Sequence, residues 1–379
     1  MMPPTTFRLR HAAAALALGA CLTGAFAADE PKVLNVYNWS DYIADDTLKN
    51  FEKETGIKVN YDNYDANEIL HAKLVAGKTG YDIVVPGAHF AKSQIEGGLL
   101  QKLDRAQLTN WGNLDKGLLA QLAAVDPGNQ YLVDWLWGYV TVGINTAKVK
   151  AALAAGPTPL PMPDNAWSLL FDPRYAAKLK GCGVSFLDTA SEVIPIALKY
   201  LGKDPHSKDA ADYKAVGEML NRVRPFVTRF SGSGSDYIDQ MARGQLCAVV
   251  GWSGDIYIAK DRAAKAKRPQ ALEALLPKSG GLLFFDVMAI PKDAKHPENA
   301  LKWINYILRP EVAASLTNKV FYANPNKASG KFLAPQLANN PTLFLSPADL
   351  SKMVGPPDIW NNDIRRLQNR AYTKFKTGN

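Results

Sequence analysis

The chain is predicted to be an α/β protein, and three observations carry that expectation. Apolar strand-like runs alternate with amphipathic helical runs along residues 33–86. Two further long apolar stretches, 137–144 and 282–291, have the length to cross between two bodies of structure. The composition, 47% hydrophobic and 21% charged over 379 residues, is that of a soluble globular chain long enough for two lobes.

The elements follow in order. Val33 to Trp39 reads as a buried strand. Asp45 to Glu54 reads as a helix, with Asp45 and Asp46 at its start, Leu48 and Phe51 on one face, and Gly56 at its end. Ile57 to Tyr64 alternates and is rich in β-formers. Asp65, with Glu68 three residues on, has the spacing of a capping box for a helix from Ala66 to Ala76. Tyr81 to Pro86 is a third short strand. This rhythm predicts a mostly parallel sheet covered by helices. Further on, Gly156 to Pro163 is a Pro-rich loop, Ser231 to Ser235 a flexible turn before a helix, and Pro297 to Leu308 a helix opened by proline.

The first 27 residues have a different character. Arg8 and Arg10 precede an uncharged apolar run from Ala12 to Leu22, which ends at Ala25-Phe26-Ala27. This is the layout of a secretory signal peptide, too short to span a membrane, with cleavage expected after Ala27. Leu18-Gly19-Ala20-Cys21 offers a second reading as a lipidation site on Cys21. Removal of the leader leaves 42 Lys and Arg against 36 Asp and Glu, a net charge of +6. No basic block of five or more occurs, and Lys260 to Arg268 reads as a solvated helix face, so nucleic acid is not an expected partner. Long-range charge therefore repels a cation, and a cation site must work through local carboxylates. Cys182 and Cys247 remain as an even pair in an oxidising compartment, which reads as a disulfide; two buried thiols are the alternative.

Signatures of catalysis are missing. Gly77-Lys78-Thr79 lacks the first glycine of a phosphate loop, since Ala72 stands in that place, and it reads as a helix end. No G-x-S-x-G, H-E-x-x-H or G-x-G-x-x-G occurs. His11, His71, His89, His206 and His296 are scattered with no ligand spacing, so no metal or other cofactor is expected. The chain is not expected to be an enzyme.

Three segments pair aromatics with carboxylates beside predicted strands: Tyr37 to Tyr42, Gly251 to Asp255, and Phe284 to Asp286. Phe321 to Asn324 adds a fourth aromatic group. In α/β folds ligands bind beyond strand ends. A buried ammonium must be matched by a carboxylate or a ring face, and tryptophan offers the best ring. An aliphatic diamine, charged at both ends and apolar between, suits carboxylates flanking a row of rings. Taken singly, each segment also reads as core aromatics beside turn or cap acids.

The sequence Tyr37-Asn38-Trp39-Ser40-Asp41-Tyr42-Ile43, followed by Asn50 to Gly56, resembles the opening of bacterial periplasmic polyamine-binding proteins of ABC transporters, nearest to their putrescine-binding members. The resemblance continues through Tyr81 to Pro86, Cys182 to Asp188, Gly251-Trp252, Phe284 to Val287 and Val320 to Asn324. It implies a type II, Venus-flytrap fold with two lobes, mixed sheets and a ligand cleft between the lobes. The expected division is 28–138 plus 286–319 for the first lobe and 139–285 plus 320–379 for the second, crossing near 137–144 and 282–291. It implies a periplasmic monomer that delivers putrescine to an inner-membrane permease driven by a cytoplasmic ATPase. A spermidine or broader amine binder, or an amine sensor, would need the same site.

The resemblance also implies the site. Trp39, Ser40, Asp41 and Tyr42 would line the cleft from one lobe and Glu192, Trp252 and Asp255 from the other, with Phe284, Asp286 and Tyr322 near the crossing strands. Asp255 and Asp286 would hold one ammonium, and Asp41 with Glu192 the other. Trp39, Trp252, Phe284 and Tyr322 would sheathe the methylenes. A disulfide between Cys182 and Cys247 is implied as well. Small hydroxyl residues of the putrescine binders are replaced here by Gly87-Ala88-His89. Gly87 gives up a hydrogen bond, and a cationic His89 would oppose a cationic ligand, so affinity is expected to fall at acidic pH.

Overall fold

Two β-sheets make up the fold, each with helices against it, and one long strand of the second sends side chains into the cores of both. The computed structural model describes Met1, residues 30–355 and residues 361–378; the leader, Cys21 included, lies outside the described residues. Lys32–Asn379 form a single unit.

The first sheet is three-stranded and parallel, in the order β2-β1-β3: β1 (Val33–Trp39), β2 (Lys58–Tyr64) and β3 (Ile83–Val84). β1 has the expected bounds, and its apolar residues Leu34 and Val36 are buried. The Thr47–Thr55 helix between β1 and β2 ends at Gly56, whose φ of 68° is the left-handed C-cap the sequence signals. β3 is shorter than expected and is flanked on both sides: Val85 N donates to Tyr37 O of β1, and Val84 N donates to Ala289 O just beyond Met288. The helix after β2, Asn67–Ala76, stops before Gly77. Its capping box does not form. Ala66 is the N-cap residue and offers no side-chain cap, while Asp65 and Glu68 are exposed.

The second sheet is mixed. It contains β4 (Val133–Asn145), β5 (Val184–Leu187), β6 (Arg229–Ser231), β7 (Ala248–Trp252), β8 (Leu272–Ala274) and β9 (Leu282–Met288). Strand order is β6-β5-β7-β4-β8, with β9 also on β4. β5 runs parallel to β6 and β7, whereas β4 is antiparallel to β7, β8 and β9. The antiparallel pairing follows from direction: β9 brings the chain back along the path that β4 takes out. All thirteen residues of β4 are buried. Val133, Trp135 and Leu136 enter one core of the first sheet, Trp137 and Tyr139 another, and Val140, Val142 and Ile144 the core of the second sheet. The Asn362–Thr377 helix packs Ile364, Ala371, Tyr372 and Phe375 into that last core. Cys182 and Cys247, which precede the neighbouring strands β5 and β7, form a disulfide with a Cα separation of 5.5 Å.

Candidate functional site

The carboxyl ends of the parallel strands in both sheets converge on one cavity of about 220 Å³. β1 delivers Trp39, Ser40 and Tyr42; β2 leads to Asp65 and Glu68; β5 leads to Asp188, Thr189 and Glu192; β6 leads to Gly234 and Ser235; β7 delivers Trp252 and Asp255. Phe284 and Asp286 come from β9, and Tyr322 follows the Pro310–Val320 helix. The volume lies below the range typical of drug-sized ligands, so a small molecule fits the space.

Charge is one-sided. Asp65, Glu68, Asp188, Glu192, Asp255 and Asp286 line the cavity, and no Lys or Arg is among its described lining residues. Asp65, Glu68 and Asp188 are exposed at the rim; Glu192, Asp255 and Asp286 are buried.

The buried acids are held by hydroxyls and an indole. Tyr322 donates to Asp255 Oδ1 and accepts the Asp255 N–H at 3.2 Å. Tyr237 donates to Asp255 Oδ2 at 2.7 Å. Tyr42 donates to Asp286 Oδ2 at 2.9 Å. Glu192 accepts Thr189 Oγ1 at 2.7 Å and the Trp252 indole N–H at 3.0 Å, which fixes the tryptophan ring at the wall. Burial pushes Asp255 up to about 6 against the hydrogen bonds of Tyr322 and Tyr237. Burial pushes Asp286 up to about 7; Tyr42 opposes this, and Glu192 and Asp255 add to it. Glu192 is also raised, chiefly by burial. A cation placed among these carboxyls would favour their charged forms.

Three of the lining rings, Tyr42, Tyr322 and Phe284, pack against one another. Tyr322 meets Tyr42 edge-on at 5.1 Å and Phe284 at 5.9 Å. Gly254 allows this: a Cβ there would lie 2.5 Å from the Tyr322 ring.

Of the eleven residues expected at the site, ten line the cavity: Trp39, Ser40, Tyr42, His89, Glu192, Trp252, Asp255, Phe284, Asp286 and Tyr322. Asp41 does not. Its backbone is left-handed, with φ 57°, and its carboxylate accepts Ser235 Oγ at 2.8 Å and pairs with Arg262 at 3.2 Å. Arg262 is also held by Asp239 at 2.6 Å. These contacts make a clasp beside the cavity, and Arg262 is not the purely solvated residue its helix pattern suggested. His89 differs from expectation as well. It is the second residue of the Ala88–Glu96 helix, and burial lowers its imidazole to about 4, so it is neutral over the physiological range. Gly87 makes room for it, because a Cβ at 87 would lie 2.9 Å from His89 Cε1.

Sequence reasoning missed Asp65, Glu68, Tyr237 and the Arg262 clasp. Asp65 and Glu68 were detectable only as acids just past a strand end. Tyr237 has no local signature.

A two-lobed α/β fold with an acidic, aromatic-lined cavity at strand ends defines a solute-binding protein. The chain belongs to the bacterial extracellular solute-binding proteins, whose family pattern it matches over residues 46–344. It is 44% identical to the putrescine-binding periplasmic protein SpuD of Pseudomonas aeruginosa, covering 96% of this chain and 97% of that one. It is 43% identical to the putrescine-binding periplasmic protein PotF of Escherichia coli, covering 96% of each. The fold matches the substrate-binding protein PotD of Streptococcus pneumoniae with a TM-score of 0.75 at 24% identity, over 92% of this chain and 99% of that one.

Proposed function

We propose that this chain is a periplasmic monomer that captures putrescine and delivers it to the permease of an ABC importer. The observation that carries the reading is a small cavity whose described lining holds six carboxylates, the six rings of Trp39, Tyr42, Phe90, Trp252, Phe284 and Tyr322, and no Lys or Arg. Transfer of a diammonium ion from water into such a space requires a carboxylate at each end, and the rings favour both its charge and its methylenes. Asp255 and Asp286 take one ammonium. Glu192, with the rim acids beyond it, takes the other. Trp39, Trp252, Phe284 and Tyr322 sheathe the chain between. Asp41 is assigned to the clasp. The names of the two curated relatives support the same ligand.

The lobes divide at 28–138 plus 286–319 and 139–285 plus 320–379, and β4 and β9 flex as the hinge on which the cleft opens. Binding shifts the population toward the closed form, which the permease reads. Family membership supports carriage without covalent change to the ligand.

A triamine is the second reading, because Asp65 and Glu68 at the rim offer a third charge partner, whereas Asp188 there is already paired with Lys376 at 2.6 Å. Competition between putrescine and spermidine on protein stripped of bound amine separates the two. Trp39→Ala and Asp255→Ala are each expected to abolish tight putrescine binding while the unfolding transition of the empty protein persists. Near-wild-type affinity in both variants would contradict the assignment.

A further inference from the structure

The Gly234–Ala242 helix meets the candidate site on two faces. Ser235 and Asp239, four residues apart, lie on one face. Ser235 bonds Asp41 at 2.8 Å, and Asp239 holds at 2.6 Å the Arg262 guanidinium that pairs with Asp41. This face is the anchorage of the clasp. Gly234 and Tyr237, three residues apart, lie on the other face. Tyr237 is fully buried; its hydroxyl donates to Asp255 Oδ2 at 2.7 Å and accepts the Trp252 N–H at 2.9 Å. Gly234 brings the backbone so close that a Cβ would lie 2.5 Å from Asp255 Oδ2. One short helix therefore touches both a proposed ligand carboxylate and the contact beside the cavity.

We propose that this helix couples ligand occupancy to the clasp, with Tyr237 as the positioning residue that fixes Asp255 and sets the register in which Ser235 and Asp239 meet their partners. The inference rests on Asp255 being an ammonium ligand, as assigned above. Its physical basis is the strength of a charge-assisted hydrogen bond. An ionised Asp255 accepts the Tyr237 hydroxyl more strongly than a protonated one does. A bound ammonium keeps Asp255 ionised, which tightens the Tyr237 contact and steadies the helix. Coupling of this kind is reciprocal, so loosening the clasp must also weaken the ligand. The charged and titratable groups around Asp255 are Tyr237, Tyr322, Asp41 and Arg262, with Glu192 and Asp286 across the cavity.

The test is a double-mutant cycle of Tyr237→Phe and Ser235→Ala, read as putrescine affinity from pH 5 to 9. Unfolding of each empty protein is followed in parallel. Tyr237→Phe is expected to weaken putrescine by roughly tenfold or more at pH 7, the range for a bond to a charged group. It should also move the pH at which affinity falls off upward. The double variant should lose less than the product of the two single losses. Affinity within twofold of wild type at every pH would overturn the proposal. So would losses that multiply around an unmoved pH profile. Should Tyr237→Phe fail to fold, Gly234→Ala carries the test, since its methyl intrudes on the same carboxylate oxygen; an unshifted profile there overturns the proposal equally. Wild-type protein that binds another amine overturns the putrescine reading alone, and the cycle is then read with that amine. Wild-type protein that binds no amine overturns both.

Discussion

Asp255 and Asp286 are carboxyls whose folded values, about 6 and about 7, exceed the roughly 3.9 of an unfolded Asp. The native state therefore binds more protons than the unfolded state between pH 4 and 7. Their contribution to stability is fully present below about pH 4 and is lost as pH rises through 6 and 7. Holding a diammonium requires both in the charged form, so affinity should rise over that window and binding should release protons. Titration calorimetry in buffers of different ionisation enthalpy measures this; affinity that is flat from pH 5 to 8 would contradict it. His89→Gln should leave the curve unchanged above pH 5, because His89 is already neutral there. Asp134 is 3% exposed, and neither oxygen has a hydrogen-bond partner among the described residues. Burial, and then Asp286, push it well above the carboxylate range. Asp134→Asn should therefore raise the unfolding temperature of the empty protein more at pH 8 than at pH 5. Equal shifts at both pH values would contradict a protonated Asp134.

Among the elements, the clasp and the tightly packed glycines make separate predictions. The Arg262–Asp41 pair is partly exposed, so it contributes at most about 1 kcal/mol. Arg262→Ala should weaken putrescine by no more than about fivefold, chiefly through faster release, with little change in the unfolding of the empty protein. Loss of all binding would place Arg262 in the ligand site itself. Gly254→Ala puts a methyl 2.5 Å from the Tyr322 ring and should cost about 1–3 kcal/mol of stability, measured by denaturant unfolding. These devices also mark what the sequence could disclose. β1 and the helix ending at Gly56 were legible because a strand's burial pattern and a left-handed glycine are local signals. The Asp65–Glu68 spacing misled because a capping box and two rim acids share the same local pattern. The Ser235–Asp41 contact joins residues 194 apart, and local periodicity does not encode such a pairing.

At the scale of the whole molecule, the chain carries a net charge of +8 while its cavity is acidic, so the field that selects a cation is local and short-ranged. The disulfide spans 65 residues of the second sheet's body, and chain entropy predicts a loss of about 4 kcal/mol when Cys182 and Cys247 are both replaced by Ser. Denaturant unfolding of oxidised protein against the double variant measures it. The ten residues that the family resemblance placed together line one cavity although they come from six separate stretches of chain; residue chemistry alone supplied only the theme of rings beside acids. The central claim, a cleft built for a short diamine, is tested most directly by thermal unfolding of protein stripped of bound amine. The set should hold putrescine, cadaverine, agmatine, spermidine and spermine, with lysine and glutamate as controls. At 100 times its dissociation constant a ligand adds about 2.7 kcal/mol to the native state. The account predicts the largest rise in unfolding temperature with putrescine at equal concentration, and none with glutamate. No rise with any amine would contradict it.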